Sequence, residues 1–364
     1  MSHEITKNDH LVLTGKKAWH GLGTVVEEAP SPEEALRLAR LDWMPVTCPL
    51  EATAQTTDGE MDANGDLLYH RTTNLIASHK ALVRSDDPKI VLGVVGRNYV
   101  PIDNYTLAEL CYQVSERWLK ETGNDLKVES AGSMKEGRRV WFLLRANPFS
   151  VGNNDRDVVE RYTLAYNGFD GYAALSFLPT SVRVVCNNTA SAALEKDGWK
   201  GIRLKHTANI ERRVNDAMRS LTYASQAMEN YEAQAQGLGK SVATESKARF
   251  YWDEVYTALL WPKSKNPEGL EGERWVVADR NKRATIDQWQ SIMDRECDTH
   301  GLERSMWTAY NAVTNWFDHE SPVRLSKEAQ AKGMDTDQRR IELNLFGGVA
   351  AKKAEAMKMA LLHV

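Results

Sequence analysis

Cysteine is scarce: Cys48, Cys111, Cys186 and Cys297 are the four among 364 residues, they stand far apart, and they form no C-x-x-C pair. That excludes a zinc ribbon and a disulfide framework and leaves them as buried thiols. No run of about 18 apolar residues occurs, and the opening MSHEITKNDH is polar throughout. Neither a membrane span nor a signal peptide is therefore expected, and the protein is placed in the cytoplasm. Catalytic signatures are equally sparse. The nine histidines include no H-E-x-x-H, and Cys297 with His300 has no second ligand pair. There is no Walker A spacing, no dinucleotide fingerprint after a strand and no G-x-S-x-G elbow. Asp170, in NGFDGYAAL, reads as a hairpin-turn residue, since no acid or base partner accompanies it. No enzyme, metal or cofactor is expected. Charge of one sign is missing too: the net charge is -4, so a polyanion would have to be met by a local basic surface.

What is present is the composition of a globular protein, 42% hydrophobic and 26% charged, at a length suited to two domains. From about Trp43 to Cys186 short segments rich in Val, Leu, Thr and aromatics alternate with turn clusters such as SDDP, GSMKEG and NGFDGY, the punctuation of a largely antiparallel sheet. Two helices interrupt it. SPEEALRLARL (residues 31–41) has Ser31 as N-cap, Pro32 in the first position and Glu34 as the capping-box acid, and NYTLAELCYQVSERWL covers residues 104–119. After about Thr207 the apolar spacing becomes three to four, without Gly or Pro, as in TANIERRVNDAMRSLTYASQAMENYEAQAQ. The expectation is an α+β protein: a core domain over residues 1–207, an N-terminal largely antiparallel sheet with packed helices, followed by a helical domain over 208–364. PKSKNPEGLEGERW (262–275) reads as an exposed loop within that helical part.

Three stretches offer a site. In TSVRVVCNNTASAALEK a strand runs into Asn187, Asn188 and Thr189, whose side chains suit the start of a short helix. Such a start beside Arg183, Arg203, Lys205 and His206 is either a plain cap or an anion site. In LTGKKAWHGLGT, Lys16 and Lys17 adjoin Trp19 and His20, cations beside an aromatic face, which a single-stranded nucleic acid requires; the alternative is a glycine-rich arm with Trp19 packed on the sheet. In VVGRNY and GSMKEGRRVWFLLR, Arg97, Lys135, Arg138, Arg139 and Arg145 fall at strand ends or turns. Turns on one edge would make these a basic lip, and scattered turns would leave them solvated charges.

Read together, AWHGLG, LGVVGRNYVPIDN, VRVVCNNT and WTAYNAVTNWFDH resemble the phage and plasmid-like protein family filed as domain of unknown function 932, over nearly the whole chain. The chain departs from that family's pattern where Phe169, Asp170, Gly171 and Tyr172 replace His-Asp-Gly-Ser, which removes a histidine from the turn. The order of helix, sheet and helix is also similar to the core of phage single-strand annealing proteins of the RecT, Redβ and Erf type. That resemblance implies a mobile-element protein that binds single-stranded DNA and promotes annealing or recombination as a homo-oligomer, without a cofactor. Lys16, Lys17, Arg97, Arg138, Arg139, Arg183 and Lys205 would then meet phosphate, and Trp19 and Tyr99 would stack bases. The alternative is a phage factor that docks on a host or defence protein through helices bearing Trp252, Trp261, Trp307 and Trp316, tryptophans that a helix-helix core would equally use.

Overall fold

A computed structural model describes residues 9–15, 23–57, 59–64, 66–152, 156–183, 188–189, 202–210, 212–213, 222–263, 271–325, 336, 340 and 348–364. The fold is α+β, with sheets first and helices after. The expected single sheet is two. The larger contains β1 (Leu11–Thr14), β2 (Thr24–Val26), β6 (Lys127–Met134), β7 (Arg139–Val151), β8 (Asp157–Gly168), β9 (Leu175–Arg183), β10 (Asn188–Thr189) and β11 (Ile202–Leu204). Its order is β10-β9-β8-β7-β6-β1-β2 with β11 also on β9, antiparallel except for β1 beside β2. The smaller is the antiparallel trio β3 (Pro45–Thr56), β4 (His70–Arg84) and β5 (Val91–Gly96).

Against the larger sheet and each other lie α1 (Pro32–Leu38) and α2 (Asn104–Thr122). Ser31 caps α1 by accepting the Glu34 amide at 3.2 Å, as its sequence demands. On α2 the buried Leu107, Cys111, Val114 and Trp118 recur at helical spacing, and Gly123 ends the helix with φ 71°. Together with Trp43, Leu92, Phe142 and Phe169 they form the first core.

The second core is built by α3 (Thr222–Lys240), α4 (Glu245–Leu259), α5 (Gly272–His300), α6 (Met306–Asn315), its π-turn extension Trp316–Glu320, and α7 (Gly348–Leu361). Helix α6 is buried along all ten residues. Gly272–Trp275, expected as loop, already belong to α5; residues 264–270 of that loop lie outside the described set. The sheet enters this core through β7. Val140, Phe142, Leu144 and Ala146 face the first core, a bulge between Ala146 and Phe149 changes the register, and Phe149 and Val151 then face the helices. The bulge adds one residue on β7 alone, since Ala146 is opposite Arg161 and Phe149 opposite Val159, so Phe149 and Val151 stay on the sheet face that Phe142 and Leu144 occupy, and one face of the strand serves two cores in succession. Trp307 Nε1 donates to Asp157 Oδ2 at 3.0 Å and Arg161 pairs with Glu232 at 3.0 Å, tying helices to β8.

Candidate nucleic-acid interface

Four chain segments meet at one end of the larger sheet: the β6–β7 turn at 135–138, the β8–β9 turn at 169–174, the loop after β5, and the residues after β11. Hydrogen bonds join them. The Phe169 amide donates to the Arg138 carbonyl at 2.8 Å, Tyr99 Oη to the Gly168 carbonyl at 2.6 Å, and the Val100 amide to the His206 carbonyl at 3.2 Å. Asn167 Nδ2 on β8 donates to the Ile102 carbonyl at 2.8 Å and fixes the far end of the same loop. Gly93 lets β5 press on this turn, since a Cβ there would stand 2.7 Å from Asp170 Cα.

The β6–β7 turn holds three successive residues of positive φ, Lys135 (58°), Glu136 (62°) and Gly137 (87°). Buried Asp9 holds that backbone in place, accepting from the Glu136 and Gly137 amides at 2.9 Å each and from Ser133 Oγ at 2.8 Å.

An open pocket of about 610 Å³ results, lined by Ser78, Gly96, Arg97, Asn98, Tyr99, His206 and Thr207. Its aromatic element is a pair, Tyr99 stacked on His206 with centroids 4.6 Å apart and planes at 21°. Burial, reinforced by the nearby Asp170 carboxylate, pushes the Tyr99 hydroxyl well up, so it remains a donor. Burial pulls the His206 imidazole below its ordinary value, and its hydrogen bond to Val100 opposes that shift only in part. A carbonyl only accepts, so His206 Nδ1, 3.1 Å from the Val100 oxygen, carries the proton of the neutral ring.

Arg97, Arg138 and Lys205 are exposed around this end, and none of them is in an ion pair among the described residues. Arg203 is exposed beside them on β11, whose Ile202 and Leu204 point into the core. Arg139 arrives at the same end but is committed to Asp170, Nε to Oδ2 at 3.2 Å. Asp170 also accepts the Tyr172 amide at 3.0 Å, which makes it a turn-organising carboxylate.

Other expected positions do not join. Arg145 pairs with Glu129 at 3.2 Å further down the sheet. Arg183 is not a neighbour of Lys205: on β9, Leu175 is opposite Leu204 whereas Arg183 is opposite Val159, eight strand positions away, or roughly 27 Å at about 3.4 Å per residue. Asn188 and Thr189, expected at a helix start, instead pair as β10 with Arg183 and Val182. Lys16, Lys17 and Trp19 lie outside the described residues, as does the segment 190–200 in which the short helix was expected. Ser78 and Asn98 line the pocket without having been expected there, and only the pairing of β4 with β5 brings Ser78 to it.

The tryptophans read as a docking face are core: Trp252, Trp307 and Trp316 are buried and Trp261 packs against them half-buried. Among the described residues no cluster of His, Cys, Asp and Glu is placed to hold a metal ion, and no helix is long and apolar enough to cross a membrane.

A family model described as a domain of unknown function (DUF932) matches residues 91–341. The matched stretch begins at β5 and takes in the gathered turns and the helices α3 to α6; Ala18–Gly23 and the strands β3 and β4 precede it and α7 follows it. No curated protein and no solved structure matches the chain.

Proposed function

The chain belongs to the family of the domain of unknown function 932, and from that premise we propose that it is a mobile-element protein that binds single-stranded DNA and promotes annealing or recombination as a homo-oligomer, without a cofactor. The observation that carries the reading is a pocket lined by Arg97 and the Tyr99–His206 ring pair, with Arg138 and Lys205 exposed at the same end of the sheet. Exposed cations take phosphates and the half-buried Tyr99, backed by the buried His206 ring, offers a base an aromatic surface, the combination that binds a single strand without reading its sequence. A pocket of about 610 Å³ admits a base released from stacking. Arg139, engaged by Asp170, contributes by shaping the turn rather than by meeting phosphate.

The test is fluorescence anisotropy of labelled single-stranded and duplex oligonucleotides over a salt series. Single strands bind more tightly than duplex, and Arg97→Ala and Lys205→Ala each weaken binding and reduce the slope of log K against log salt by about 0.7. Arg183→Ala, at the other end of the sheet, leaves both unchanged. Absence of binding at low salt, or equal loss from all three substitutions, overturns the reading.

A further inference from the structure

Both cores lie on one face of the larger sheet. Val140, Phe142 and Leu144 of β7 point into the first core and Phe149 and Val151 into the second, so by the alternation of a strand Arg139, Trp141, Leu143 and Arg145 point to the other face. Strand pairing carries that other face across the sheet. One row runs from Gly132 on β6 through Trp141 on β7, Tyr166 on β8 and Ser176 on β9 to Arg203 on β11, each directly opposite the next. The neighbouring row is Ser130, Leu143, Leu164 and Leu178. Among the described residues neither core takes in Trp141, Leu143, Leu164, Tyr166 or Leu178, and all five are half-buried rather than enclosed. An antiparallel sheet commonly turns polar side chains to its uncovered face; this one turns an aromatic pair and three leucines.

The two rings are held in place. A Cβ at Gly132 would stand 2.6 Å from the Trp141 ring, so the missing side chain lets the indole lie across β6. Trp141 Nε1 donates to Ser130 Oγ at 3.4 Å, and Tyr166 shares the Arg139 guanidinium with Asp170. The charge at this end of the face is positive. Arg203 is exposed and has no ion pair among the described residues, and Arg138 and Lys205 are exposed at the same end. The acids of the turns there are engaged or balanced: Asp170 by Arg139, Asp9 by the Glu136 and Gly137 amides, and Glu136 by its position beside Lys135. Further along the sheet the face is not basic, since Arg145 pairs with Glu129 and Glu160 follows on β8. The row is also continuous with the pocket: Tyr99 donates to the Gly168 carbonyl, two positions along β8 from Tyr166, or roughly 7 Å.

We propose that this row is a stacking platform: two bases of a single-stranded nucleic acid lie on Trp141 and Tyr166, and Arg203 meets a phosphate beside them. Aromatic side chains on neighbouring strands of an uncovered sheet take bases in this way, and they tolerate any sequence because every base has a π-face. The cations at this end and the continuity with the pocket select a polyanion as the occupant. The inference rests on the single-strand binding in the reading above and deepens it by extending the interface from the pocket over the open face of the sheet.

The test begins with the native chain, irradiated together with an oligothymidine that carries 5-iodouracil; mass spectrometry of the peptides is expected to find the cross-link at Trp141 or Tyr166. Anisotropy with the same oligothymidine then compares variants. Trp141→Leu and Tyr166→Leu each weaken binding by about 5-fold or more, the loss of one stacked base, and leave the slope of log K against log salt unchanged, because no phosphate contact is lost. Arg203→Ala lowers that slope by about 0.7. Trp141→Phe keeps a ring and most of the affinity. Melting temperatures separate lost stacking from lost fold, and the cross-link needs no variant at all. Binding that depends on Arg97 and Lys205 without a cross-link at either ring overturns the platform and leaves the pocket standing, whereas no binding at low salt overturns both. Folded leucine variants with native affinity also overturn the platform. So does a fall in mass by light scattering for Trp141→Leu without nucleic acid, which would mean that a second copy covers the face.

Discussion

Asp9 accepts hydrogen bonds from two backbone amides and one hydroxyl at once. It holds the turn that presents Arg138, where Lys135 and Glu136 occupy left-handed φ values that their side chains disfavour. Asp9→Ala removes three hydrogen bonds to a charged acceptor. It is expected to destabilise the fold by about 2–4 kcal/mol and to weaken oligonucleotide binding through Arg138, with thermal melting and anisotropy as the two readouts. His206 gives a pH signature. Its pKa is depressed in the fold, so the unfolded chain takes up the proton first as pH falls below about 6.5. The stability it contributes is complete above that pH and is lost on acidification through the folded value. The expected result is a melting temperature that falls between about pH 7 and pH 5, with a shallower fall in His206→Gln. Identical profiles would show that the ring does not titrate with folding.

Helix α6 is the element on which the second core turns, and its burial on every side makes its polar groups costly unless they are paired. Its π-turn extension places Asp318 against Lys353 of α7, both nearly inaccessible. Lys353→Met removes the buried cation that faces the Asp318 carboxylate and is expected to cost about 3–5 kcal/mol, whereas Lys353→Met with Asp318→Leu recovers most of it. Chemical denaturation with a double-mutant cycle measures both, and additive losses would show that the two groups do not interact. The strand β7 is equally decisive for the architecture. Its bulge after Ala146 keeps Phe149 and Val151 on the face that Phe142 and Leu144 bury, so the helices dock on the continuation of one apolar face.

At the level of the whole chain, the change in apolar spacing near residue 207 marks a change of structural class, but the packing does not stop there. Phe149, Val151 and Val159 lie early in the chain and belong to the helical core. A fragment ending at residue 207 would leave these side chains in water and is expected to aggregate or to bind a hydrophobic dye, while the full chain unfolds with the sheet and helices coupled. A soluble, dye-silent fragment would contradict the shared core. The α+β class, the strand and turn punctuation, the cap at Ser31 and the amphipathic helices were legible because each depends on residues within a few positions of one another. The basic end was legible only as a list of candidates. Arg97, Arg138 and Lys205 are joined by hydrogen bonds between segments far apart in sequence, and Arg183 is removed from them by the register of β9. The tryptophans of the helical part could serve a core or a surface equally well until neighbouring helices enclosed them. Local propensity and hydrophobic period are properties of the chain and settle the elements. Which turns share an end of the sheet, which charges neutralise each other and which apolar faces stay open depend on register, bulges and packing between distant segments, and these exist only in the folded molecule.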